Sequence, residues 1–183
     1  MKLFSDYIRE AVDFRLGGKA RKGIQRYNYA PKDRDELEEL MKKLIKERGD
    51  EADFNDIDTS GITDMKCVIA YSYSFNGDIS LWDVSNATNM EMMFERCKKF
   101  NNDISLWDVS SVTDMSGMFE RCKSFNQDIS SWDVSNVTTM QAMFNWASSF
   151  NQDISHWDVS HVTNTSGVFK ACPINREYRP KFK

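Results

Sequence analysis

The sequence is poor in residues that break or loosen a chain. Three prolines and eight glycines among 183 residues exclude collagen-like and linker-rich polymers. Apolar runs are short, and none approaches the roughly 18 residues that a membrane-crossing helix needs. Charge interrupts residues 1–14 every few positions, which leaves no apolar stretch for a secretion signal. Two histidines, and four cysteines without a Cys-x-x-Cys pair, offer little for zinc or a disulfide framework. No H-E-x-x-H helix and no phosphate-cradling glycine loop occurs. These absences lead us to expect a cytoplasmic protein with no membrane span, no metal, no cofactor and no enzymatic activity. What is present is core material: hydrophobic residues make up 40% and aromatics 13%, enough to exclude wholesale disorder.

Charge is unevenly spread. Residues 1–50 carry 13 basic and 10 acidic side chains, residues 51–175 carry 7 and 17, and residues 176–183 carry 4 and 1. An acidic body repels phosphates, so nucleic acid is not the general partner expected.

Self-similarity is the strongest signal. Trp-Asp-Val-Ser begins at Trp82, Trp107, Trp132 and Trp157, 25 residues apart each time. The unit reads F-N-x-D-I-S-x-W-D-V-S-x-V-T-x-M-x-x-M-F-x-x-C, and a degenerate copy one period upstream places Ile57 in the tryptophan column. Five copies of this length indicate stacked coils that bury each apolar column against the next. Within a unit, residues 79–84 are β-branched and aromatic, which predicts a short strand. Met90, Met93, Phe94 and Cys97 fall at i, i+3, i+4 and i+7, which predicts a short helix with Thr88 as its N-cap. The expected fold is α/β: a leucine-rich-repeat-like solenoid of about five strand–helix coils, with a parallel strand ladder and an N-terminal helical cap.

The repeat resembles the BspA-type leucine-rich-repeat family of bacterial surface proteins and lipoproteins, whose hallmark is the motif just quoted. The resemblance covers about residues 53–172. The stretch from Tyr29 to Leu37, running into Phe54–Ser60, looks like the lead-in of cytosolic or phage-borne members. The resemblance implies a solenoid used for binding, often for adhesion at a cell surface.

The expected organisation is a helical and basic cap region at 1–52, the repeats at 53–175 and a basic tail at 176–183. Leu37, Leu40, Met41, Leu44 and Ile45 predict an amphipathic helix ended by Gly49, laid over the first coil. A weaker helix is expected at 4–14. Residues 15–30 hold Arg15, Lys19, Arg21, Lys22 and Arg26 beside Tyr27 and Tyr29, with no acid.

Repetition argues against chemistry at most polar positions. Two aspartate columns, from Asp53 to Asp153 and from Asp58 to Asp158, recur in every copy, whereas catalytic acids are singular. They are expected to accept backbone N–H bonds in turns. The cysteine column Cys97, Cys122 and Cys172 accepts Ser72 and Ala147, so it asks for smallness. Specificity is left to the variable positions. The candidate partner-binding residues are Leu81, Leu106 and His156 on the expected strands, and Arg96, Arg121, Trp146, Lys98 and Lys123 on the expected helices. The expected function is non-catalytic protein–protein interaction: a cytosolic bacterial or phage protein that binds and blocks another protein. The alternatives are a surface adhesin or adhesin fragment, and a nucleic-acid-associated factor using the basic arm 15–30.

Overall fold

Side-chain oxygens decide how each repeat turns. The computed structural model describes residues 27–182. Asp78 Oδ1 accepts the Ser80 N–H at 3.0 Å and the Ser80 hydroxyl at 2.7 Å, and Asp83 holds Ser85 in the same way at 3.1 and 2.6 Å. The turn recurs at Asp103, Asp108, Asp128, Asp133, Asp153 and Asp158. Between the two aspartates, the Trp82 N–H closes a further turn on Ile79 C=O at 3.1 Å. These local bonds outcompete the extended state that the β-branched residues favour.

The residues after each turn are not helical either. Met90, Met92, Phe94 and Arg96 donate their N–H groups to Asp114, Ser116, Met118 and Glu120 in the following coil, at 2.8–3.0 Å. The alternate amides on Met93, Glu95 and Cys97 bond to carbonyls three residues back, and that of Glu91 bonds to Asn89 Oδ1 at 2.9 Å. An α-helix would send all of these amides four residues back within the segment. The backbone allows the alternation by turning left-handed at Met92 (φ 54°) and Arg96 (φ 62°). The same two columns are left-handed in every coil, at Cys67 and Tyr71, Gly117 and Arg121, Ala142 and Trp146, and Gly167 and Ala171.

The expected fold class is therefore corrected. Among the described residues there is no β-strand, only isolated parallel bridges such as Asn89–Asp114 and Asp114–Thr139. The one α-helix among the described residues lies outside the repeats. A leucine-rich-repeat solenoid of strand–helix coils with a parallel strand ladder is not what these repeats build. They form coils made of turns, each hydrogen-bonded to its neighbours one period away. Thr88, expected as an N-cap, caps no helix. Its N–H and hydroxyl both reach Thr63 C=O in the coil before it, at 2.8 and 3.2 Å, and Thr113, Thr138 and Thr163 repeat the contact.

Side chains stitch the coils together as well. Each indole Nε1–H of Trp82, Trp107, Trp132 and Trp157 donates to a carbonyl 28 residues earlier, at 3.0–3.3 Å, and all four rings are buried. Asn76, Asn101, Asn126 and Asn151 each accept, through Oδ1, the backbone N–H of the next coil at 2.8–2.9 Å. The buried thiols of Cys97 and Cys122 donate to Ile69 and Phe94 carbonyls at 3.1 and 2.8 Å. Burial pushes the Cys97 thiol up to about 12, so it stays protonated and keeps this weak bond.

The core is a double column of phenylalanines. Phe94, Phe119, Phe144 and Phe169 stack with centroids 5.6–5.8 Å apart. Phe75, Phe100, Phe125 and Phe150 stack at 5.8–6.0 Å. Within a coil the two rings lie only 4.0–4.2 Å apart.

Both ends are covered. Helix α1 (Arg34–Arg48) is capped by Asp33, which accepts the Glu36 N–H, and ends at left-handed Gly49 (φ 94°). It buries Leu37, Met41 and Leu44 in the common core. Arg48 pins it to the first coil by two bonds to Asp56, at 2.8 and 2.9 Å, and lies over the Tyr29 ring. At the far end Tyr178 C=O accepts the Ile154 N–H at 3.0 Å, Phe182 packs on Phe169 and Pro180 is buried. The helix expected at 4–14, and residues 15–26 of the basic arm, lie outside the described residues.

Two outcomes follow. Phe119 contacts Phe94, Phe125, Phe144 and Trp132. Phe119→Ala should lower unfolding free energy in urea by about 3–5 kcal/mol, whereas half-exposed Leu106→Ala should change it by about 0.5 kcal/mol or less. The turn carboxylates set the acid limit. Bonds from the Ser130 and Ser135 hydroxyls hold Asp128 and Asp133 below the usual carboxylate range, and the Ser155 N–H does so for Asp153. At Asp78 burial pulls the other way, but bonds from Ser80 and Asn55 outweigh it. These groups bind fewer protons folded than unfolded. Their stabilisation is therefore complete above the unfolded value of about 4 and disappears as pH falls through the lower folded values. Thermal melts should hold steady from neutral pH to about pH 5 and fall progressively below about pH 4.

Candidate functional site

The left-handed column at Tyr71, Arg96, Arg121 and Trp146 forms one corner of the stack. Its backbone rungs run from Tyr71 N–H to Glu95 C=O, from Arg96 to Glu120, from Arg121 to Asn145 and from Trp146 to Lys170, at 2.8–2.9 Å. Two residues further along the chain, across inward-facing Ser72, Cys97, Cys122 and Ala147, stand Tyr73, Lys98, Lys123 and Ser148. Phe75, Phe100, Phe125 and Phe150 then re-enter the core. The turn geometry thus pushes two adjacent columns outward on every coil.

This corner gathers unusual side chains. Four large hydrophobics are exposed among the described residues: Tyr71 (52%), Trp146 (49%), Tyr73 (46%) and Leu106 (46%). Three of these four are on the corner. Of the seven basic residues in 51–175, five are there too: Arg96, Lys98, Lys99, Arg121 and Lys123. No acid occurs in 71–74, 96–99, 121–124 or 146–149.

A small network organises it. The Arg96 guanidinium lies over the Tyr71 ring at 5.4 Å, and the Lys98 ammonium over the Tyr73 ring at 4.5 Å. Buried Glu95 accepts from Arg96 Nε at 3.2 Å. A bond to Glu95 also raises the Tyr71 phenol pKa, and bonds to Tyr73 and Glu95 raise that of Arg96. Glu120 lies 3.6 Å from Arg121 Nε and accepts from Asn145 Nδ2 at 3.0 Å. Asn145 Oδ1, just before Trp146, is a buried acceptor with no partner among the described residues. Lys98, Lys99 and Lys123 make no ion pair among the described residues.

The candidate surface read from the sequence divides here. The structure brings Arg96, Arg121, Trp146, Lys98 and Lys123 together. Leu81, Leu106 and His156 occupy a separate column, in the turn between the two aspartates, joined to the corner by no hydrogen bond, ion pair or ring contact among the described residues. Members of that column serve the stack: Ser131 Oγ donates to Ser105 C=O at 3.0 Å, and His156 Nε2 lies 2.9 Å from Ser130 C=O. His161 Nδ1 similarly lies 2.9 Å from Ser135 C=O. Tyr71 and Tyr73 were missed because they sit in the degenerate first copy. Their signal is simple: they stand 25 residues before Arg96 and Lys98.

Other features are plainer. A cleft of about 310 Å³ opens where the start of α1 meets the first coil, lined by Lys32, Arg34, Gly61 and Asp64 among others. Among the described residues no group of His, Cys, Asp or Glu is arranged to hold a metal ion. No described helix is long and apolar enough to cross a membrane.

Comparison with known proteins gives a family without an activity. No curated protein and no solved structure matches the chain. One family profile matches twice, over residues 38–135 and again over 103–179, from α1 through the last coil. The chain belongs to that family, described as Mycoplasma protein of unknown function, DUF285.

Proposed function

We propose that this protein is a non-catalytic protein-binding module and that its corner of Tyr71, Tyr73, Arg96, Lys98, Arg121, Lys123 and Trp146 is the surface that binds. The observation that carries this reading is the convergence, on one edge of an acidic stack, of three of the four large hydrophobics exposed among the described residues and five of the seven basic residues in 51–175. Aromatic residues and arginine are the side chains that dominate binding energy at protein interfaces.

Backbone conformation supports it. A left-handed residue with a Cβ is disfavoured by roughly 1–2 kcal/mol, and glycine relieves that strain. The inner left-handed column is built mainly of small residues, Cys67, Gly117, Ala142 and Gly167, with Met92 the exception. The outer one holds Tyr71, Arg96, Arg121 and Trp146, with small Ala171 in the last coil. Packing does not demand these bulky side chains, since Arg121 and Trp146 are exposed and Arg96 half-exposed. Retained strain without a packing gain supports a role outside the fold.

The recurring polar groups support a passive role. Each aspartate of the two columns from Asp78 onward has an oxygen committed to a turn, and the turn is needed in every copy. A cytoplasmic setting fits the four free thiols, which a reducing compartment would preserve.

The test is capture of partners on immobilised protein from a bacterial lysate, with a Trp146→Ala/Arg121→Glu double variant as comparison. Both residues are exposed, so the variant should melt within about 1 kcal/mol of wild type. Specifically captured bands should disappear with the variant. Equal capture by the two proteins would exclude the corner.

A further inference from the structure

The corner has a length, a charge and a polarity profile that select a class of partner. Resting on the reading above, we infer that it recognises a short acidic peptide segment flanked by apolar side chains, bound in extended form along the stack axis. Backbone segments paired by hydrogen bonds lie about 4.8 Å apart and equivalent rings of successive coils 5.6–6.0 Å apart, so the three steps from Tyr71 to Trp146 span about 14–18 Å, or about four to five residues of extended peptide. The profile along that path is aromatic, cationic, cationic, aromatic. Tyr71 and Tyr73 stand at one end, Arg96, Lys98 and Lys99 on the next coil, Arg121 and Lys123 on the one after, and Trp146 at the far end.

The two kinds of cation differ in availability. Arg96 and Arg121 already face Glu95 and Glu120, at 3.2 and 3.6 Å. The three lysines carry no carboxylate partner among the described residues, so they are the groups left to take carboxylates from outside. Lys98 lies over the Tyr73 ring at 4.5 Å, a cation–π contact that favours this position of its ammonium. The aromatic ends would take the apolar flanks.

The surroundings favour a peptide over a nucleic acid. Apart from the corner, residues 51–175 hold 17 acidic side chains and only Lys66 and Lys170 as cations. A polynucleotide carries a negative charge at every residue, which the acidic side chains of the coils around the strip repel. A peptide can confine its charge to the strip and present neutral residues beyond it.

Fluorescence anisotropy of a fluorescein-labelled peptide, with adjacent glutamates flanked on both sides by leucine, tests the inference. The full-length protein should bind it saturably at low salt and less tightly as salt rises. A Lys98→Glu/Lys123→Glu variant should weaken binding at least about tenfold, as should Trp146→Ala, with thermal melts confirming that both variants fold. A matching peptide with lysine for glutamate should not bind. The inference is overturned by no binding of the acidic peptide, by binding that the variants leave unchanged, or by equal or tighter binding of a labelled oligothymidylate. If the lysate capture depends on the corner while the acidic peptide fails, the surface stands and the ligand class is wrong. If neither responds to the substitutions, both readings fail.

Discussion

Backbone amides that leave their own coil are the constraint on which this molecule depends. In the segment 90–96, every second N–H pairs with the following coil and the intervening ones close local turns. No coil satisfies its backbone alone, so none can fold alone, and the neighbour one period away becomes part of its secondary structure. The period of 25 residues is the length after which that pairing comes back into register. Side chains follow the same logic, inside the stack and on its surface. The buried Trp and Cys columns and the exposed Asn and Thr columns all send or receive a bond across the coil boundary, so the indole and thiol donors inside the stack are satisfied without interrupting the phenylalanine columns.

The constraint also determines where a surface can be written. Alternation needs two left-handed residues per coil, and it turns the outer one away from the core. A column that is exposed, repeated and free of packing demands can change from Tyr to Arg to Trp without disturbing the stack. The acidic Asx turns lie elsewhere on each coil, which leaves the corner as a cationic strip on an otherwise acidic body.

How much of this could be read from the chain differs by level. The period, the buried columns and α1 are legible because burial leaves an apolar signature: Met90, Met93, Phe94 and Cys97 are all inside. The same spacing misled about local structure. Turns that bond three residues back bring those positions inward just as a helix would, and nothing in apolar periodicity tells the two apart. Ile79, Trp82 and Val84 misled in the same way, since β propensity reports packing on a half-buried surface and Asp78 and Asp83 take over the backbone there. Of the corner, Arg96, Arg121, Trp146, Lys98 and Lys123 stand out as variable positions. Their separation from Leu81, Leu106 and His156 required the coordinates, because linear variability does not say which columns are adjacent. Tyr71 and Tyr73 were hidden by the degeneracy of the first copy.

Through-hydrogen-bond scalar couplings measured by NMR test this architecture most directly. Turn-built coils predict couplings from the Phe94 amide nitrogen to the Met118 carbonyl carbon, and from Arg96 to Glu120. Couplings from Phe94 to Met90 and from Arg96 to Met92, the α-helical partners four residues back, would contradict it.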